Sequence, residues 1–195
     1  MSHPLVLASA SPRRRELLQQ IGLEFQVIPS SADEKELPGE TPEELVTRLS
    51  LEKAGEVARR KEVDGRWFIG SDTVVLCDDT ILGKPRNSVH ATEMLRMLAG
   101  REHQVLSGYA VIDRQTGKQR SEAVSTRVWF RQLTDVEIAR YIATGEPMDK
   151  AGAYAIQGFG VCFVARIEGS YTNVVGLPLC RLTTAMKELG IPLVI

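Results

Sequence analysis

The sequence predicts an α/β domain built in layers. Three observations carry this reading. Strand-like and helix-like segments alternate along the chain, no repeat, low-complexity tract or long linker interrupts them, and the helix starts carry explicit capping signals. At 195 residues the chain is long enough for one substantial domain, or two lobes sharing a core, and too short for two ordinary independent domains.

The elements follow in order. Leu5-Val6-Leu7-Ala8 is a short apolar strand. Pro12 then suits a first helical position, where its fixed φ is pre-organised and its missing N–H costs nothing, with Ser11 placed as N-cap and Gly22 closing the helix. Phe25-Gln26-Val27-Ile28 reads as a second strand, and Thr41-Pro42-Glu43-Glu44 is a capping box opening a long helix to about Arg60. Trp67-Phe68-Ile69-Gly70 is a short apolar strand with Ser71-Asp72-Thr73 just beyond its end; Val74 to Cys77, an Asp78-Asp79 turn and Ile81-Leu82 then form a hairpin. Asn87 or Ser88 caps a helix to Gly100, with Ala91, Leu95 and Leu98 at helical spacing. Residues 103–113 and 118–132 make a pair of strands around Gly117, the second alternating through Val124, Thr126, Val128 and Phe130. Thr134 and Glu137 form another capping box, for a helix ending near Gly145; a strand over 161–167, a loop and a helix from Pro178 complete the chain.

Composition narrows the function. With 24 Lys+Arg against 25 Asp+Glu the net charge is −1, so no global basic field draws the chain to a nucleic acid polymer, and phosphate recognition must be local. No apolar run approaches the ~20 residues that span a bilayer, and Met1-Ser2-His3-Pro4 lacks the basic and apolar regions of a signal peptide, so the expected location is the cytoplasm. Cys77, Cys162 and Cys180 are odd in number and widely spaced in apolar surroundings, and read as buried small residues rather than a disulfide or metal framework. His3, His90 and His103 have no metal-ligand spacing.

Several segments carry possible chemistry, each beside a plainer alternative. The start of the first helix offers unpaired N–H groups next to the guanidiniums of Arg13 and Arg14, an anion site, or else a solvated face. Lys53 falls on the apolar face of the second helix, in line with Val46 and Leu49; taken alone, snorkelling past that face is favoured over a side chain aimed into a site. Asp72, at a strand's carboxyl end with apolar flanks, suits a divalent metal or the activation of water, and equally a turn aspartate bonded to backbone. Lys84, held between Gly83 and Pro85, either reaches a phosphate or marks a surface turn, and the Asp33-Glu34 pair either binds or is solvated. Residues 149–158 are rich in small side chains, as where a ligand approaches backbone closely. Together these supply carboxylates for a metal, cations for phosphates and a base for water, the parts of metal-assisted phosphoanhydride chemistry, while no Walker A, GxGxxG, HExxH, GxSxG or kinase motif is present.

The same residues resemble a known family. Leu7-Ala8-Ser9-Ala10-Ser11-Pro12-Arg13-Arg14, Ala32-Asp33-Glu34, Leu51-Glu52-Lys53-Ala54, Gly70-Ser71-Asp72-Thr73-Val74-Val75, Gly83-Lys84-Pro85, Asp149-Lys150-Ala151-Gly152-Ala153-Tyr154 and Val174-Val175-Gly176-Leu177-Pro178 stand in the order of the Maf family of nucleoside triphosphate pyrophosphatases, and most resemble its dTTP/UTP branch. The resemblance spans essentially the whole chain. It implies a single Maf-like domain over 1–195, with an elongated mixed β-sheet flanked by helices in two lobes around a cleft, usually a homodimer. It also implies hydrolysis between the α and β phosphates with a divalent cation, Mg²⁺ or Mn²⁺. By position, Asp72 matches the proton acceptor; Ser9, Arg13, Arg14, Lys53 and Lys84 match residues lining the phosphate pocket; and Glu34, with Asp72, matches the metal site. Arg13, Thr73 and Gln157 stand where the sister branch acting on 7-methyl-GTP tends to carry Trp, Gln and Glu. A carboxamide at 157 donates and accepts at once, matching the O4 and N3–H edge of thymine or uracil. A second expectation is a nucleotide-binding regulator without significant turnover, since family members have been linked to septum formation and arrested division.

Overall fold

The computed structural model describes residues 5–194, so the reading of Met1 to Pro4 lies outside the described residues. The elements are β1 (Leu5–Leu7), α1 (Pro12–Gln20), β2 (Gln26–Val27), α2 (Pro42–Ala58), β3 (Trp67–Cys77), β4 (Thr80–Leu82), α3 (Ser88–Leu98), β5 (Glu102–Asp113), β6 (Gln119–Phe130), α4 (Asp135–Ala143), β7 (Val164–Glu168), α5 (Tyr171–Val175) and α6 (Leu179–Glu188). Three 3₁₀ turns, Glu146–Asp149, Ala151–Ala153 and Gly158–Phe163, lie between α4 and β7. The strands form a mixed seven-stranded sheet in the order β2-β1-β3-β5-β6-β7, with β4 paired to β3. β1 runs parallel to both β2 and β3, while β3–β4 and β6–β7 are antiparallel. The α/β expectation therefore holds.

The chain divides into two compact units, the first of residues 1–72, 107–124 and 176–195, the second of 73–106 and 125–175. In the first, β1 and β3 pair in register Leu5 with Trp67 and Leu7 with Ile69. Val6, Ala8 and Phe68 pack with Ala54 and Val57 of α2 and with Ala110 of β5. In the second, Leu95 and Leu98 of α3, Ile138 and Tyr141 of α4, and Val105, Val128 and Phe130 share one core with Tyr154 and Phe163. Both capping boxes are made: Thr41 with Glu44 on α2, and Thr134 with Glu137 on α4.

Four expectations change. Residues 67–77 form one unbroken strand rather than a strand, a loop and a hairpin arm, so Asp72 sits within β3 and not beyond its end. The polar triplet does not break the strand because its groups are paired by neighbouring side chains and carbonyls, as described below, and a satisfied polar residue is no obstacle to an extended backbone. The last strand begins at Val164, because 158–163 coil into a 3₁₀ turn, and the loop before α6 contains the short helix α5. Cys77 is buried, but Cys162 and Cys180 are exposed, the first on that 3₁₀ turn and the second on the outer side of α6. Finally, Ser11 does occupy the N-cap of α1, yet its side chain makes no capping bond.

Candidate active site

The first unit gathers Ser9, Arg13, Arg14, Glu34, Lys53 and Asp72 around the start of α1, the middle of α2 and the centre of β3. Their convergence begins with two glycines. A Cβ on Gly70 of β3 would stand 2.1 Å from the Ser50 carbonyl oxygen, and one on Gly108 of β5 would stand 2.1 Å from that of Val46. The missing side chains let the backbone of α2 lie directly on two strands. From that close position Lys53 does not snorkel outward. It is 7% exposed, and its Nζ lies 2.5 Å from Asp72 Oδ1 and 2.7 Å from Glu34 Oε1. Asp72 is itself buried and Glu34 is largely exposed, so one ammonium joins an inner and an outer carboxylate. Burying an ammonium is costly unless carboxylates pair with it in this way.

Asp72 is held through its backbone as well as its side chain. The Ser71–Asp72 peptide has its carbonyl oxygen accepting from Arg14 Nη1 at 2.7 Å and its N–H donating to Ser50 Oγ at 3.0 Å. Ser71 Oγ donates to the Gly108 carbonyl at 2.8 Å, with that of Gly176 at 3.2 Å. Arg14 also donates from Nε to Gly176 and from Nη1 to Ser9 Oγ, and Ser9 Oγ accepts the Ser11 N–H. Burial pushes the Arg14 guanidinium down from its usual value, opposed by the charges of Asp72 and Glu34. Arg14 thus fixes the strand that carries Asp72, a task the sequence did not suggest for it. Ser50 carries no signal in the sequence, and Ser71 stands there only as a neighbour of Asp72; small polar residues facing a helix or a strand leave no periodic signal.

Thr73, Lys84 and Gln157 belong to the second unit. Thr73 is half-buried in β3, Lys84 is exposed on the loop from β4 to α3, and Gln157 is half-buried just before the 158–163 turn. Within 149–158, Gly152 serves packing. Gly152, at φ +66°, lies so close to Val75 that an added Cβ would meet its side chain at 2.9 Å, and the Gly152 N–H donates to the Gly83 carbonyl at 3.1 Å. What approaches Gly152 closely is a strand of the same unit.

Among the described residues no group of three or more His, Cys, Asp or Glu side chains is arranged to hold a metal. Glu34 and Asp72 nevertheless fit the way Mg²⁺ is commonly held, by one or two carboxylates that share the ion with water and substrate phosphates. No helix among the described residues is long and apolar enough to cross a membrane.

Comparison with known proteins gives a consistent picture. The family profile described as Maf-like protein matches residues 4–189. A dTTP/UTP pyrophosphatase from Syntrophotalea carbinolica is 62% identical over 95% of this chain and 84% of its own length. One from Geobacter metallireducens is 52% identical over 95% of this chain and 96% of its own. A solved nucleoside-triphosphatase / dITP/XTP pyrophosphatase from Mycobacterium abscessus covers 95% of this chain and 97% of its own, at 13% identity and a TM-score of 0.48, too slight a likeness to bear on function.

Proposed function

The chain belongs to the Maf-like family, and from that membership we propose that it is a nucleoside triphosphate pyrophosphatase that hydrolyses dTTP and UTP to the monophosphate and pyrophosphate. The observation that carries the reading is Lys53 bridging Asp72 and Glu34 beside the arginines that open α1. The names of relatives at 62% and 52% identity support the substrate class.

In this reading Asp72 takes the proton of a water that attacks the α-phosphorus, and the bond from that phosphorus to the bridging oxygen of the pyrophosphate breaks. Lys53, with its ammonium against Asp72, sets the direction of the carboxylate and lies near enough to offset charge on the phosphates. Arg13 and the N–H groups opening α1 bind the phosphate tail, aided by Ser9 and by Arg14 through its charge, and Lys84 takes up charge on the leaving pyrophosphate. A divalent cation, Mg²⁺ or Mn²⁺, held by Glu34 and Asp72 would supply Lewis-acid polarisation of the α-phosphoryl group. Arg13, Thr73 and Gln157 select the base, Gln157 by donating and accepting along the pyrimidine edge. The reading further takes the 195 residues as one Maf-like domain acting as a cytoplasmic homodimer. Support for the dimer is the family resemblance, and sedimentation of the pure protein tests it.

The test of the activity is pyrophosphate release from a panel of nucleoside triphosphates with Mg²⁺ or Mn²⁺, wild type against Asp72→Asn. Preferential release from dTTP and UTP is expected, with the variant lower by at least about a thousandfold while nucleotide binding persists. Near-normal rates in the variant remove Asp72 from the role of base. Binding without release from any nucleotide replaces the enzyme reading with that of a nucleotide-dependent regulator.

A further inference from the structure

Gln157 stands in the middle of a short segment whose backbone is pinned on both sides by a pair of side chains from one helix end. On the far side, the Glu146 carboxylate accepts the Phe159 N–H at 2.9 Å on Oε2 and the Gly160 N–H at 3.1 Å on Oε1. On the near side, the Tyr141 phenol oxygen accepts the Ala155 N–H at 3.2 Å. The two are joined, because the same phenol donates to Glu146 Oε1 at 2.8 Å.

The glycines of the segment make room for this frame. Gly158 takes φ +80°, and an added Cβ there would lie 2.3 Å from Glu146 Oε2; one on Gly160 would lie 2.3 Å from the Ala155 carbonyl oxygen and 2.8 Å from the Tyr141 phenol. The frame itself is rigidly mounted. Tyr141 is buried on α4 against Phe163, with ring centroids 4.9 Å apart, and Glu146 follows directly on Gly145, whose φ of +76° turns the chain out of the helix. The backbone donors hold the Glu146 carboxyl below its usual value in spite of burial, so it remains a charged acceptor at neutral pH.

We propose that Glu146 and Tyr141 are positioning residues for base selection: they fix the backbone on both sides of Gln157, so that its carboxamide meets the pyrimidine edge in one orientation. The inference rests on the reading of Gln157 as the residue that reads the base. A glutamine side chain has three rotatable bonds, and a discriminating hydrogen-bond pair requires that its Cα be held to within a fraction of an ångström. Neither Glu146 nor Tyr141 needs to touch substrate for this.

The experiment compares kcat/KM for dTTP and dCTP in wild type, Glu146→Gln, Tyr141→Phe, Gln157→Ala and the double variant Glu146→Gln/Gln157→Ala. Glutamine keeps the size of Glu146 but gives up one of its acceptor oxygens, and phenylalanine keeps the packing of Tyr141 while removing the phenol. The dTTP preference is expected to fall about tenfold in Glu146→Gln and in Tyr141→Phe, and to fall no further in the double variant than in Gln157→Ala alone. Equal losses on both nucleotides, an unchanged preference, or additive losses in the double variant overturn the proposal, since a merely structural role moves both substrates alike. Tyr141→Phe decides the matter if Glu146→Gln does not fold. Amide exchange at Phe159 and Gly160, read on the protein without nucleotide, separates this inference from the function it rests on. Slow exchange retained in Glu146→Gln overturns the frame, whereas a wild type that neither hydrolyses dTTP nor prefers it overturns the reading of Gln157 and leaves faster exchange in the variant as support for the frame.

Discussion

At the scale of single residues, the first unit shows how an ionic group is made usable in a dry place. Lys53 is buried with two carboxylates on it, and the peptide that carries one of them is gripped at its oxygen by Arg14 and at its nitrogen by Ser50. A side chain so constrained has little conformational freedom left, as the proposed role of Asp72 requires. In the proposed reading, Gln157 is the residue on which specificity turns. Replacing it by glutamate removes the N–H donor that O4 of thymine or uracil requires and sets a negative charge against that oxygen. Gln157→Glu is therefore expected to lower kcat/KM for dTTP and UTP by about tenfold or more and to move preference toward bases that present additional N–H donors. An unchanged profile across a nucleotide panel would take Gln157 out of the specificity set.

At the scale of elements, the decisive contact is α2 on β3 and β5. Helix and strand usually meet through side chains, but here Gly70 and Gly108 remove them, and the helix backbone rests on the sheet. The distance from Lys53 to Asp72 is a consequence of that approach. Gly70→Ala places a Cβ 2.1 Å from the Ser50 carbonyl and 2.7 Å from the Ala54 nitrogen, both backbone atoms that cannot swing aside. We expect a loss of about 3 kcal/mol or more in stability by urea unfolding, together with a fall in turnover as Lys53 is carried away from Asp72. Gly83→Ala, where a Cβ meets nothing within 4 Å, is the matched comparison and should stay within about 0.5 kcal/mol of wild type. Equal stabilities for the two variants would show that α2 yields at no cost.

At the scale of the whole molecule, stability is expected to follow pH in two windows. His103 is buried in the second unit, with Nε2 2.8 Å from the Tyr154 hydroxyl and no partner for Nδ1 among the described residues, and burial pushes its pKa down from 6.5 to about 4. Its ring stays neutral in the folded protein while the unfolded chain takes up a proton, so stability falls as pH drops from about 6.5 to about 4, by roughly 3 kcal/mol. Glu56, held by Arg60 and lowered to about 2, acts in a lower window. Its contribution is present above 4.5 and is lost as pH falls toward 2. Unfolding midpoints of wild type and His103→Gln measured from pH 7 to pH 4 check the first window. The slope should flatten in the variant, and an undiminished slope would assign the loss to other groups.

Much of this protein is determined locally and is legible in its sequence. Capping boxes at Thr41 and Thr134, Pro12 at a first helical position and the Asp78-Asp79 hairpin turn act through neighbours a few residues away, so helices and hairpin stand close to where they are expected. The ordered motifs from Ser9 to Pro178 identify the family for the same reason, since each is a short run of residue types. Local signals failed where a partner distant in the chain supplies what the segment lacks. Ser71-Asp72-Thr73 looks like a break in a strand until Arg14, Ser50 and the Gly108 carbonyl satisfy its polar groups, and Lys53 looks like a snorkelling side chain until Gly70 lets its helix down onto β3. Which residues make up the family's motifs could be read from the order of side chains along the chain. How an ammonium and a carboxylate came to lie 2.5 Å apart was decided by tertiary packing alone, because burial and pairing are properties of surfaces that meet only when the chain is folded.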